Sequence, residues 1–197
     1  MISAKQKKRI VLVHPRGFNW FPGKTDITDI ANRMVPQGLL SVAAYLIREG
    51  HTVFVYDCLG SRAPVDLAGQ VKAILSFDPQ MVGFSATTSS FPDAAELALK
   101  IQEQSPDVTT VCGGVHVSAL EGNLLNEYPA FDYLIAGEGE ITMAELAAGL
   151  DPSGIPGLIH RRHNEVITNE PRPKIADLDS LPFPAYEKLQ GFPGDYH

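Results

Sequence analysis

The feature that most constrains this chain is a fivefold alternation. Short apolar runs that do not themselves alternate in polarity are each followed by a stretch with helical spacing of apolar residues. A strand that is apolar on both faces has to be covered on both faces, and crossover helices provide that cover. The runs lie at 9–14, 51–57, 81–85, 108–112 and 131–136. The helical stretches lie at 36–50, 64–77, from Pro92 or Asp93 to Gln104, at 118–127 and at 141–150. End signals support them. Pro36 suits a first turn and Gly50 a C′ position, while Leu39, Leu40, Ala43, Leu46 and Ile47 form one buried stripe. Ser118 reads as an N-cap with Glu121 three residues later. The expected fold is α/β: a doubly wound, five-stranded parallel sheet over residues 9–150 with right-handed crossovers, in flavodoxin-like (Rossmann-like) order.

Beyond Leu150 the pattern changes. Residues 155–169 read as a small β-hairpin turning at Asn164-Glu165. Pro171, Pro173, Pro182, Pro184 and Pro193 then punctuate an extended Pro-rich connector, with Leu178, Leu181, Phe183 and Tyr186 as anchors for packing on something else. The chain therefore divides into an α/β domain at 1–150 and a hairpin and linker at 151–197.

Composition excludes several function classes. With 16 basic and 23 acidic residues the formal charge is −7, which argues against a nucleic-acid surface. The cluster Lys5, Lys7, Lys8 and Arg9 reads as a solvated tail. The two cysteines, Cys58 and Cys112, make neither a thiolate metal site nor a disulfide framework, and both read as small buried hydrophobes. No run approaches the roughly 20 apolar residues of a membrane span, and the N-terminus has no signal-peptide pattern. A cytoplasmic location is expected.

In an open α/β sheet, ligands sit at the carboxyl ends of the strands. The loops there are His14-Pro15-Arg16, 85–90, 113–116 and 137–140, and three of the four are rich in Gly, Ser or Thr. Small residues let a large ligand approach the backbone, and hydroxyls can bond its polar edge. That suits a cofactor cradle better than a nucleophile with a positioned base, and no catalytic or metal-ligating residues are assigned. Each feature also has an ordinary reading: Ser85 to Ser90 as a turn capping a helix, Glu140 as a first-turn acid, His116 as a loop histidine, Asp57 as a strand-end cap. Gly113-Gly114 is no phosphate loop, since GxGxxG and GxxxxGK[ST] are both absent. The long stretch 16–35 after the first strand reads as a functional loop of unassigned role.

Five segments in register carry a resemblance: Pro36-Gln-Gly-Leu-Leu with Gly50-His51 and Tyr56-Asp57, Met81-Val-Gly-Phe-Ser-Ala-Thr-Thr88, Val111-Cys-Gly-Gly-Val-His116, Tyr133-Leu-Ile-Ala-Gly-Glu-Gly-Glu140, and Leu178-Asp-Ser-Leu-Pro-Phe-Pro-Ala185. Over residues 8–190 the chain resembles the N-terminal part of cobalamin-dependent radical SAM enzymes, including the anaerobic magnesium-protoporphyrin monomethyl ester cyclase group. The resemblance implies a cobalamin-binding module of an oxidative cyclase or a methyltransferase. The connector would lead to a radical SAM barrel of the same polypeptide, outside this chain, holding the four-iron four-sulfur cluster and S-adenosylmethionine. The histidine of the DxHxxG pattern is missing at Asp57-Cys-Leu-Gly60, so cobalamin is expected base-off without a protein histidine on cobalt. Ser85, Ala86, Thr87 and Thr88 would line one side of the dimethylbenzimidazole tail, Gly113 and Gly114 would allow its passage, and Gly137, Glu138 and Gly139 would hold the far side. His116 would reach a corrin amide or a phosphate. The ligand edge would also be open to self-association. The other reading is a non-catalytic docking or regulatory module that has kept the fold and lost the cofactor.

Overall fold

A computed structural model of the chain describes residues 7–17, 34–60 and 62–196; most of the 16–35 stretch lies outside them. Five parallel strands, β1 (Arg9–His14), β2 (Thr52–Asp57), β3 (Met81–Ser85), β4 (Thr109–Gly113) and β5 (Tyr133–Ile135), lie in the order β2-β1-β3-β4-β5. This is the flavodoxin-like order expected from the alternation. In register, Leu12 stands opposite Gly83, Gly83 opposite Val111, and Ser85 opposite Gly113.

The C-terminal hairpin, β6 (Leu158–Arg162) and β7 (Glu165–Thr168), pairs antiparallel on β5 and extends the sheet to seven strands. Strand pairing thus runs across the expected break at residue 150. The turn is one residue earlier than expected. His163 and Asn164 take φ of 50° and 66° between the paired Arg162 and Glu165. A two-residue hairpin that follows the strand twist needs both central residues left-handed, and Asn tolerates this best.

The helices are α1 (Gln37–Arg48), α2 (Leu67–Leu75), α3 (Phe91–Gln104), α4 (Val115–Leu120), α5 (Asn123–Glu127) and α6 (Glu140–Ala147). Asp66 caps α2 by accepting from the Gly69 N–H at 2.8 Å, so the helix starts later than Pro64. The single helix expected at 118–127 is instead two. Glu121 has φ 50°, and Gly122 lies so close to β7 that a Cβ there would stand 2.9 Å from Thr168 Oγ1. Ser118 is not a cap. It sits inside α4, where its Oγ donates to the Gly114 carbonyl at 3.0 Å and accepts from the Gly137 N–H at 3.0 Å. Arg9 is the first residue of β1, as the run at 9–14 predicts, and bonds Asp78, so it does not belong to a solvated tail.

Strand alternation sorts the core into two layers. On the first face, Val11, Val13, Val82, Phe84, Cys112 and Leu134 pack against α2, α3, α4 and α5. Phe131 is fully buried at its centre, with ring centroids 5.9 Å from Phe84 and 5.8 Å from Phe91. On the second face, Ile10, Leu12, Met81, Val111 and Ile135 pack against α1 and α6. Buried aliphatic and aromatic side chains of this kind contribute about 1.5–3 kcal/mol each.

The connector completes the second face. Ala185, Leu189 and Tyr196 are buried in it. The Ala185 N–H donates to the Leu40 carbonyl at 3.1 Å, Tyr186 Oη to Gln37 Oε1 at 2.8 Å, and Arg48 to the Ser180 carbonyl at 2.7 Å. Arg172 bonds Thr142 at 2.7 Å and pairs with Glu145 on α6. The prolines therefore shape a strap across α1 and α6. Among the described residues no helix is long and apolar enough to cross a membrane.

Candidate functional site

At the carboxyl end of the second face the core opens into a cleft of about 280 Å³. Its floor is the sheet: Leu12, Gly83, Ser85, Val111, Gly113 and Ile135. One wall is α1 (Gly38, Leu39, Val42) and the other is the turn into α6 with its first residues (137–140 and Met143). The glycines open it. By strand alternation Gly83, Ser85 and Gly113 point to this face, and Gly38 has nothing within 4 Å of where a Cβ would stand. A Cβ at Gly83 would stand 2.9 Å from Leu12 Cδ2 and 3.1 Å from Met143 Cε, so any side chain there drives those two into the opening. The space suits the apolar end of a ligand with its polar remainder at the sheet edge.

The rim is fixed by hydrogen bonds. Gly137, with φ 84°, is tied to α4 through Ser118. Glu138 Oε2 accepts the Ile175 N–H at 2.7 Å, which binds the turn to the connector. Ser41 Oγ donates to Glu140 Oε1 at 2.7 Å, joining α1 to α6.

Of the residues singled out from sequence, Ser85, Gly113, Gly114, Gly137, Glu138 and Gly139 meet around this cleft. Ala86 lies behind it, buried under Gly114. Gly114 has φ 100° and ψ −177°, a glycine-only conformation, and a Cβ on it would stand 2.6 Å from the Ala86 carbonyl oxygen. Its missing side chain is therefore required first by the chain itself: Ala86 N–H donates to Gly113 O, and His116 N–H to Ala86 O.

Thr87, Thr88 and His116 do not line the cleft. Thr87 closes its own turn: its N–H donates to Ser90 Oγ at 3.0 Å and its carbonyl accepts from the Ser90 and Phe91 amides. Thr88 Oγ1 lies 3.2 Å from His116 Nδ1. The His116 ring lies 4.4 Å from that of Phe91, tilted by 40° to it, and burial lowers its pKa. The ordinary reading of this loop, a turn leading into α3, accounts for Thr87, while Thr88 is engaged by His116 of α4. Sequence reasoning missed Gly83, Gly38 and the apolar walls. The signal was there in Gly83, a glycine inside a strand, but using it required the face on which it points.

The ends of β1 and β2 hold a buried polar cluster. Asp57, 8% exposed, receives the Leu59 N–H on Oδ1 at 2.9 Å and Tyr196 Oη on Oδ2 at 2.8 Å; His14 Nδ1 lies 3.1 Å from Oδ1. Burial pushes the Asp57 carboxyl up. The hydrogen bond and charge of His14, the Leu59 amide and the Tyr196 hydroxyl outweigh it and hold the carboxyl below its ordinary value. Both thiols are buried, and burial pushes their pKa values far up; they pack as small apolar side chains.

Comparison with known proteins adds the lineage. The chain is 32% identical over 185 residues to an uncharacterized methyltransferase of Pyrococcus horikoshii, covering 92% of this chain and 39% of that protein. It is 33% identical over 153 residues to the anaerobic magnesium-protoporphyrin IX monomethyl ester cyclase of Synechocystis sp., covering 75% of this chain and 30% of the relative. The chain thus spans well under half the length of these relatives. The radical S-adenosylmethionine methyltransferase TsrM from Kitasatospora setae, solved with cobalamin and an iron–sulfur cluster bound, superposes with a TM-score of 0.68 at 20% identity over 94% of this chain and 34% of its own; that likeness shows the fold. Residues 23–147 match the B12 binding domain family, and with the sheet order and the cleft at its carboxyl edge described above, the chain belongs to that family.

Proposed function

We propose that this chain is the cobalamin-binding module of a longer radical SAM enzyme of the methyltransferase or oxidative-cyclase type, and that the cleft between α1 and α6 takes the nucleotide tail of the cofactor. The observation that carries this is the glycine-built opening: Gly38, Gly83 and Gly113 remove side chains from one apolar face at the strand ends where this fold binds ligands. A volume of about 280 Å³ is at the lower limit for a whole small-molecule site, which fits one end of a cofactor rather than all of it. Cobalamin bound here supplies methyl-transfer or one-electron chemistry at cobalt. The chain's own part is to hold it: Val42, Leu39 and Met143 bury the apolar base, Ser85 and the 137–139 turn meet the polar sugar and phosphate, and the corrin lies over the strand ends. The cofactor is then base-off, with no protein side chain on cobalt. The substrate belongs to the part of the enzyme that these residues do not form.

The test is direct. Hydroxocobalamin added to the purified chain should remain bound through gel filtration and show an altered visible spectrum. Gly83→Leu should weaken binding by about 100-fold or more, about 2.7 kcal/mol. Val42→Trp, which enters the cleft from the helix side, should do the same if Gly83→Leu fails to fold. Binding that survives both substitutions moves the tail elsewhere. No retention by the unaltered chain at high micromolar cofactor overturns the cobalamin reading and favours a docking module.

A further inference from the structure

The cluster at the ends of β1 and β2 is not used by the cleft, yet it is built like a positioning device. Asp57 is buried and accepts from the Leu59 N–H and the Tyr196 hydroxyl. A carboxylate in that setting acts as an acceptor toward its third neighbour as well, so the nitrogen facing it, His14 Nδ1 at 3.1 Å, carries the proton. In the neutral ring the other nitrogen, Nε2, is then a lone-pair acceptor. Among the described residues it has no hydrogen-bond partner, and the His14 side chain is 20% exposed.

His14 is the last residue of β1, at the same edge as the cleft, and borders a second depression walled by Pro15, Arg16, Pro36, Thr87 and Ser89. The two depressions are lined by neighbouring stretches of the same loops and strand ends. Pro36 in one is two residues from Gly38 in the other, and Thr87 is two residues from Ser85. A ligand with its tail in the cleft and its body over the strand ends passes above β1.

We propose that His14 is a ligand-contacting residue, held by Asp57 and by Tyr196 of the connector so that its Nε2 accepts a hydrogen bond from an N–H donor of the bound ligand, such as a peripheral carboxamide. This rests on the cobalamin reading above. Asp57 and Tyr196 act through His14 and are positioning residues. Docking of the connector, 139 residues away from Asp57 in sequence, thereby sets the geometry of a histidine at the ligand edge.

The experiment combines binding with nitrogen NMR on the full chain. His14→Ala should weaken hydroxocobalamin binding by about tenfold, the upper end for one neutral hydrogen bond. His14→Gln, whose Oε1 can replace Nε2 as acceptor, should recover most of that loss, and Tyr196→Phe should give a smaller loss in the same direction. In nitrogen-labelled, cofactor-free protein, His14 should show Nδ1 protonated and Nε2 bare, and Tyr196→Phe should blur that into a mixture of tautomers. Equal binding by His14→Ala, no recovery with His14→Gln, or a proton on Nε2 in the neutral ring each overturns the proposal. If the unaltered chain binds no cobalamin, the function proposed above falls, and the relay stands or falls on the nitrogen signals alone.

Discussion

The two faces of one sheet are treated in opposite ways. On the first, Phe84, Phe91 and Phe131 fill the layer under α3 at the strand ends. On the second, at the same height along the same strands, Gly83 and Gly113 stand where the first face has Phe84 and Cys112. Both faces carry a buried core, but at the strand ends one side is filled by aromatic rings and the other is left open. The two neighbours Gly83 and Phe84 therefore have different tasks although they share a strand.

The largest effect that would break this contrast is on the filled face. Phe131→Ala should cost about 3–5 kcal/mol in equilibrium denaturation, because a closed layer cannot collapse around the void. Met143→Ala removes a side chain that already borders open space, and should fall at the low end of the roughly 2–5 kcal/mol range while weakening cobalamin binding. Equal costs would mean that the cleft contributes to stability like any other part of the core. Next, Gly114→Ala should cost at least about 1–3 kcal/mol through its backbone conformation, with the clash of the new Cβ on the Ala86 carbonyl added to that, measured by thermal melting. Gly113→Ala, where a Cβ would meet Ile135 O at 3.4 Å, should melt nearly as the parent does and show its effect in binding.

The smallest effect concerns acid. Asp57 is held below its ordinary carboxyl value in the fold, so its contribution is complete above the unfolded value of about 3.9 and is lost as the pH falls through the lower folded value. Asp57→Asn should flatten that limb of the acid-unfolding curve, below about pH 4. An unaltered acid limb would show that other carboxylates dominate it.

Much of this architecture was legible in the sequence because it is local. Non-alternating runs such as Ile10–Val13 and Met81–Phe84 name buried parallel strands, and Pro36 and Gly50 bound α1. What was not legible depends on partners distant in the chain. The break at Glu121-Gly122 comes from β7 packing on the helix, and no local signal at Ser118 could show it. The glycine pair at 113–114 was found, but its two members differ: Gly113 faces the cleft, while Gly114 is fitted against Ala86. Thr87, Thr88 and His116 share the polar character of a binding loop and instead bond one another or their own turn. The face of Gly83 follows from strand register, which a run of apolar letters does not contain.

The strap has a consequence for the order in which the molecule can be made. The apolar cluster of the first face is assembled from residues no later than Ile159, with Val166 beside it. The second face needs Ala185, Leu189 and Tyr196. On a ribosome, with domains forming from the N-terminal side, the aromatic layer has all its members roughly 30 residues before the other layer does. The face that carries the cleft is the face that waits, and a nascent chain stalled before residue 185 has α1 packed on the sheet and α6 but lacks the Ala185, Leu189 and Tyr196 side chains that complete that layer.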